Sequence, residues 1–106
     1  MTEKSISVSM MCADIFSMRE TLEALTKNKI SYLHLDIMDG EFVPNFTLGT
    51  DYCRLMKEHS EIPLDIHLMI GNPEKKLSWF TFGEYGKSKV LRFCSHQQFR
   101  RTSVFA

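Results

Sequence analysis

The chain has 106 residues, 43% of them hydrophobic and 25% charged, with a formal net charge of zero. That length suits one domain, and the neutral balance gives no general attraction to nucleic acid or a membrane surface. No apolar run approaches the ~20 residues of a transmembrane helix, and Met1–Ser5 lacks the basic and apolar regions of a signal peptide. Cys12, Cys53 and Cys94 are odd in number and form no CxxC pair, which points to a reducing compartment, read here as the cytoplasm.

The first element is a short strand over Ile6–Met11, with Ser7 and Ser9 on one face and Ile6, Val8 and Met10 on the other. Ser17 and Glu20 have capping-box spacing, and Leu22 and Leu25 follow, so a helix is expected over residues 16–28. A second strand covers Tyr32–Met38. Its His34, Asp36 and Met38 share one face, while Leu33, Leu35 and Ile37 share the other. Asp39-Gly40 reads as a turn, and Pro44 keeps residues 42–46 extended. A helix from residue 50 or 51 to His59 is expected to bury Tyr52, Leu55 and Met56. Leu64–Ile70 repeats the strand pattern: Asp65, His67 and Met69 oppose Leu64, Ile66, Leu68 and Ile70. Asn72, Pro73 and Glu74 then suit a helix start, with Leu77 and Phe80 on its buried side.

The order β-α-β-α-β-α, with strand starts about 26–32 residues apart, matches βαβ units of ~30 residues and predicts a parallel sheet. A doubly wound sheet buries both faces under helices, so its strands read as continuous apolar runs. Here each strand keeps one aliphatic and one polar face. A barrel explains that division, with its helices outside and its site inside at the C-terminal strand ends. His34, Asp36 and His67 combine imidazole nitrogen with carboxylate oxygen. That donor set favours Zn²⁺, Fe²⁺, Mn²⁺ or Co²⁺ over Ca²⁺ or Mg²⁺. Asp65 shares the face of His67 and reads as a supporting partner of the ligands.

The run Leu33-His34-Leu35-Asp36-Ile37-Met38-Asp39-Gly40-Glu41-Phe42-Val43-Pro44-Asn45 resembles the long signature of the ribulose-phosphate 3-epimerase family. Asp65-Ile66-His67-Leu68-Met69-Ile70 with Asn72-Pro73-Glu74 resembles its second signature, and Ser9 matches its first-strand serine. The resemblance covers about residues 5–82. It implies a (β/α)₈ barrel that inverts C3 of a ketose phosphate, D-ribulose 5-phosphate or a hexulose phosphate such as allulose 6-phosphate. It also implies one divalent metal ion on His34, Asp36 and His67, with Asp36 doubling as an acid/base. Ser9, His67, Met38 and Met69 become substrate-site residues.

Two features depart from the family pattern. Val8 stands where the family commonly has proline. A full barrel takes ~200 residues or more, so this sequence corresponds to its N-terminal part, about three βα units. The family's second catalytic aspartate and its phosphate-binding loops match no residue here. Residues 1–82 carry an acidic excess and residues 83–106 a basic one, and the signatures stop near the change. Lys87–Phe93 alternates like a strand, but its inward face is unlike those of the first three. Residues 83–106 are therefore expected to be a divergent tail of frameshifted or alternatively spliced origin. The expected partners are a small phosphorylated ketose and further copies of the chain in a homo-oligomer, without nucleic acid or membrane. The competing expectation is a catalytically inactive partial barrel that acts by associating with full-length subunits.

Overall fold

The structure is a computed structural model that describes residues 5–80 and the strand backbone at 91–95 and 101–102. Strand β1 is Ser7–Ser9, followed by a 3₁₀ turn at Ile15–Ser17 and helix α1 at Met18–Lys27. Strand β2 is Tyr32–Asp39, β3 is Phe46–Thr47, helix α2 is Gly49–His59, and β4 is Leu64–Met69. Helix α3 is Pro73–Lys76 and runs into a 3₁₀ turn at Leu77–Phe80; β5 is Leu91–Ser95 and β6 is Arg101–Thr102. Among the described residues, no helix is long and apolar enough to cross a membrane. The change of character expected at residue 83 falls within residues 81–90, outside the described residues.

The strands lie in the order β1-β2-β4-β5-β6. The first four pair in parallel, and β6 turns back antiparallel on β5. Each parallel strand therefore sits beside its predecessor, always added on the same side. Parallel crossovers are right-handed in ~98% of cases, so additions in one direction carry their helices to one face. The core confirms this placement. Leu33, Leu35 and Ile37 of β2 and Leu64, Ile66 and Leu68 of β4 are buried together with Leu22 of α1 and with Cys53 and Met56 of α2. The result is a mixed α/β fold with one helix-covered apolar face. The opposite face carries His34, Asp36, Met38, Asp65, His67 and Met69, all half-buried.

Local details differ from the sequence expectations. The capping box does not form. Asp14 caps the 3₁₀ turn through the N–H of Phe16 (2.9 Å), and the Ser17 hydroxyl turns toward the same carboxylate instead of α1. On α2 the buried apolar residues are Cys53 and Met56, with Tyr52 half-buried against them, while Leu55 is 41% exposed. Starting the helix at Gly49 places Cys53, not Leu55, against the sheet. Burial pushes the Cys53 thiol up to about 12, which leaves it protonated and inert. Asn72 makes no side-chain cap. Its backbone sits in the left-handed region (φ 50°), and Pro73 supplies the preset first turn.

Candidate metal and proton-transfer site

Register builds the site. In parallel pairing Asp36 lies beside His67, His34 beside Asp65, and Met38 beside Met69. Ser9 of β1 lies beside His34. The polar face thus carries rows of chemically active side chains from three adjacent strands, held by an aliphatic layer directly beneath them.

Asp36 is the hub. Its Oδ1 lies 3.0 Å from His34 Nε2 and 3.2 Å from His67 Nδ1. The two rings are 5.9 Å apart between centroids and tilted by 59°. One ligand atom from each of His34, Asp36 and His67 falls within 4.8 Å of the other two. Two imidazole nitrogens and a carboxylate oxygen at that spacing fit a divalent transition ion. His34 Nδ1 lies 2.9 Å from Asp65 Oδ2, which also accepts from the Ser7 hydroxyl at 3.2 Å. Burial opposes a charge on His34. The Asp65 hydrogen bond and the Asp36 charge outweigh it, and the imidazole pKa is raised above its ordinary value.

Backbone contacts fix the end of β2. The Thr47 hydroxyl donates to the Asp36 carbonyl at 2.6 Å and accepts from the Met38 N–H at 3.1 Å. This is what the short strand β3 contributes, where the sequence suggested an extended loop alone. Asp39 reads locally as a turn residue, yet it clamps the two halves of the site. It accepts from the N–H groups of Glu41 and Gly71 and from Lys76 Nζ (3.4 Å). The Glu41 side chain occupies the space where a Cβ on residue 71 would stand. Gly71 therefore lets the loop after β4 approach the loop after β2. Burial works against the Asp39 charge, but the two backbone donors and the Lys76 ammonium prevail and lower its pKa.

A group with a depressed folded-state pKa contributes stability above its unfolded pKa, and the contribution is lost as pH falls through the folded value. Asp39→Asn is therefore expected to destabilise the chain at neutral pH. The gap to wild type should close below the ordinary carboxylate range of ~4. Urea denaturation at neutral and acidic pH reads this, and an equal gap at both would contradict the clamp.

The family model described as "Ribulose-phosphate 3 epimerase family" matches residues 5–98. The chain belongs to the ribulose-phosphate 3-epimerase family. Curated epimerase relatives agree. A ribulose-phosphate 3-epimerase of Aquifex aeolicus is 35% identical over 77 residues, covering 73% of this chain and 35% of the relative. One of Mycobacterium leprae is 43% identical over 70 residues, covering 66% of this chain and 30% of the relative. The chloroplastic ribulose-5-phosphate-3-epimerase of Arabidopsis thaliana is 35% identical over 92 residues, covering 87% and 32%. The chain spans about a third of the length of these relatives. The epimerase match takes in β1, β2, β4 and β5 and every residue of the polar cluster.

Sequence reasoning reached His34, Asp36 and His67, and the fold brings those three together. Met38 and Met69 sit side by side at the C-terminal end of the same face, and Ser9 at its β1 edge. Ser7, Thr47 and Asp39 carry supporting contacts that were not singled out. Only Ser7 had a sequence signal, since it shares the face of Ser9.

Proposed function

We propose that this chain forms the metal-binding and proton-transfer wall of a (β/α)₈ barrel epimerase acting at C3 of a ketose phosphate. D-ribulose 5-phosphate, interconverted with D-xylulose 5-phosphate, is the leading substrate. The observation that carries the reading is the convergence of His34 and His67 on the Asp36 carboxylate, in a chain whose named relatives are epimerases. His34, Asp36 and His67 would hold the divalent ion. When bound, the ion supplies a Lewis acid that stabilises negative charge on the substrate oxygens.

The residues divide the remaining work. The C3 hydrogen is acidic because a C2 ketone adjoins it. Asp36 removes it as a proton, and the electron pair left on carbon delocalises onto the C2 oxygen. Hydrogen-bonding distance to two rings fixes the direction of the Asp36 carboxylate. Met38 and Met69 exclude water from the carbanionic carbon without adding a competing acid. Ser9 offers a hydroxyl to the substrate. Inversion takes a second acid on the opposite side of C3, which we assign to the portion of the relatives that this chain does not span. The chain alone is then suited to removing and returning a proton on one face.

The test is the purified chain with Zn²⁺, Mn²⁺ or Co²⁺ and ribulose 5-phosphate in D₂O. Binding of one metal ion per chain is expected, lost in His34→Ala and His67→Ala. Exchange of the C3 hydrogen should exceed net formation of xylulose 5-phosphate, which should be small. The same assay with allulose 6-phosphate decides the substrate. Metal binding that persists in both histidine variants would overturn the site. A second reading, an inactive partial barrel that associates with complete subunits, rests on β1 being paired on one side only among the described residues. Concentration-dependent sedimentation without any C3 exchange would favour it.

A further inference from the structure

The proposed chemistry uses Asp36 and leaves Asp65 without a task. Asp65 is nonetheless placed with care. Its side chain is 14% exposed, and a carboxylate so covered is costly unless paired. Its partners come from the two strands on one side of β4 and meet the same oxygen: His34 Nδ1 from the adjacent β2 at 2.9 Å and the Ser7 hydroxyl from β1, beyond β2, at 3.2 Å. His34 is thus held between two carboxylates, Asp65 at Nδ1 and Asp36 at Nε2.

A neutral imidazole carries one proton, on one of those nitrogens. On Nε2 it would point at Asp36 and occupy the lone pair that a metal needs. On Nδ1 it leaves Nε2 free beside the Asp36 oxygen and His67. The two carboxylates do not compete equally. Asp36 Oδ1 is shared between two rings, whereas Asp65 faces a single ring at the shorter distance. The Ser7 donor orients Asp65 toward that ring.

We infer that Asp65, anchored by Ser7, is a positioning residue that holds the His34 proton on Nδ1 and so presents Nε2 as a metal ligand. The inference rests on the metal centre proposed above. It adds a function for a residue that touches neither metal nor substrate. Donation from the second ring nitrogen to a carboxylate also raises ligand basicity, and loss of such partners typically costs 10–100-fold in metal affinity.

The experiment compares the full chain with Asp65→Ala, Asp65→Asn and Ser7→Ala, each first shown by circular dichroism to be folded. Long-range ¹H–¹⁵N spectra of the metal-free proteins, at a pH where His34 is neutral, identify its tautomer. Co²⁺ titration followed by visible absorption gives affinity. The wild type should show the proton on Nδ1. Asp65→Ala should move it to Nε2 and weaken Co²⁺ binding about 10–100-fold. Asp65→Asn retains a carbonyl acceptor and should keep the Nδ1 proton and recover most of the affinity. Ser7→Ala should weaken binding about threefold to tenfold, the scale of one hydrogen bond. A purely structural Asp65 would lower thermal stability and leave the tautomer and affinity unmoved, which would overturn the inference. Failure of the wild type to bind Co²⁺ would instead overturn the proposed function, while the tautomer spectra would still decide the role of Asp65.

Discussion

Asp36→Asn is expected to weaken Zn²⁺ or Co²⁺ binding by about 100-fold or more and to abolish C3 exchange. Loss of a group that merely supports a ligand costs 10–100-fold, and a group that is itself a ligand exceeds that. Asp36 is the one residue of the cluster within hydrogen-bonding distance of both rings. Asparagine preserves its volume and an acceptor oxygen, so the fold should persist. The charge that attracts the cation and the basicity that takes the proton are both lost. A titration signature accompanies the substitution. The His34 pKa is raised in part by the Asp36 charge, against the opposing effect of burial, so it should fall in the variant. A raised folded-state pKa contributes stability below the unfolded value, and that contribution is lost as pH rises through the folded one. The stability deficit of the metal-free variant should therefore be widest below about pH 6 and narrow above it. Retained metal affinity in Asp36→Asn would remove the hub from the site.

The legible parts of this molecule are those governed by short periods. Alternation in β2 and β4 identified both faces, because each strand has helices over one side only. Leu33, Leu35, Leu64 and Ile66 are 0–1% exposed, as their positions demanded. The pair His34 and Asp36 was legible for the same reason, being two residues apart on one strand. The placement of His67 beside Asp36 is a matter of register between strands and cannot be spelled in either segment. The misreadings have two causes, a competing local contact and contacts of long range. Ser17 and Glu20 have the spacing of a capping box, but Asp14, three residues before Ser17, caps the Phe16 N–H and draws the Ser17 hydroxyl to itself. Asp39 followed by Gly40 is a local turn signal, yet its Gly71 and Lys76 partners lie 32 and 37 residues away. Contacts of that range depend on the completed fold. They hold the site in place while leaving no pattern in the sequence around them.

Ile66→Ala, a large-to-small change away from the polar face, should cost about 2–5 kcal/mol. Ile66 is fully buried at the middle of β4, in register with Leu35, and its neighbours in sequence are Asp65 and His67. A domain holds only about 5–15 kcal/mol of stability in all, so the lost packing removes a large fraction of it. The expected result in urea is a lower midpoint with an unchanged slope. Met69→Ala, half-buried on the polar face, should shift the midpoint less. The two faces then connect through ligand binding. A ligand held only by the folded state adds about 2.7 kcal/mol at 100 times its dissociation constant. Zn²⁺ at that excess should restore much of what Ile66→Ala loses, because His34, Asp36 and His67 remain intact in the folded fraction. The same concentration should do little for Asp36→Asn. Equal rescue of both variants would show that the ion stabilises the chain at some place other than this cluster, and no rescue of Ile66→Ala would show that the apolar layer sets the geometry of the metal site as well as the stability of the sheet.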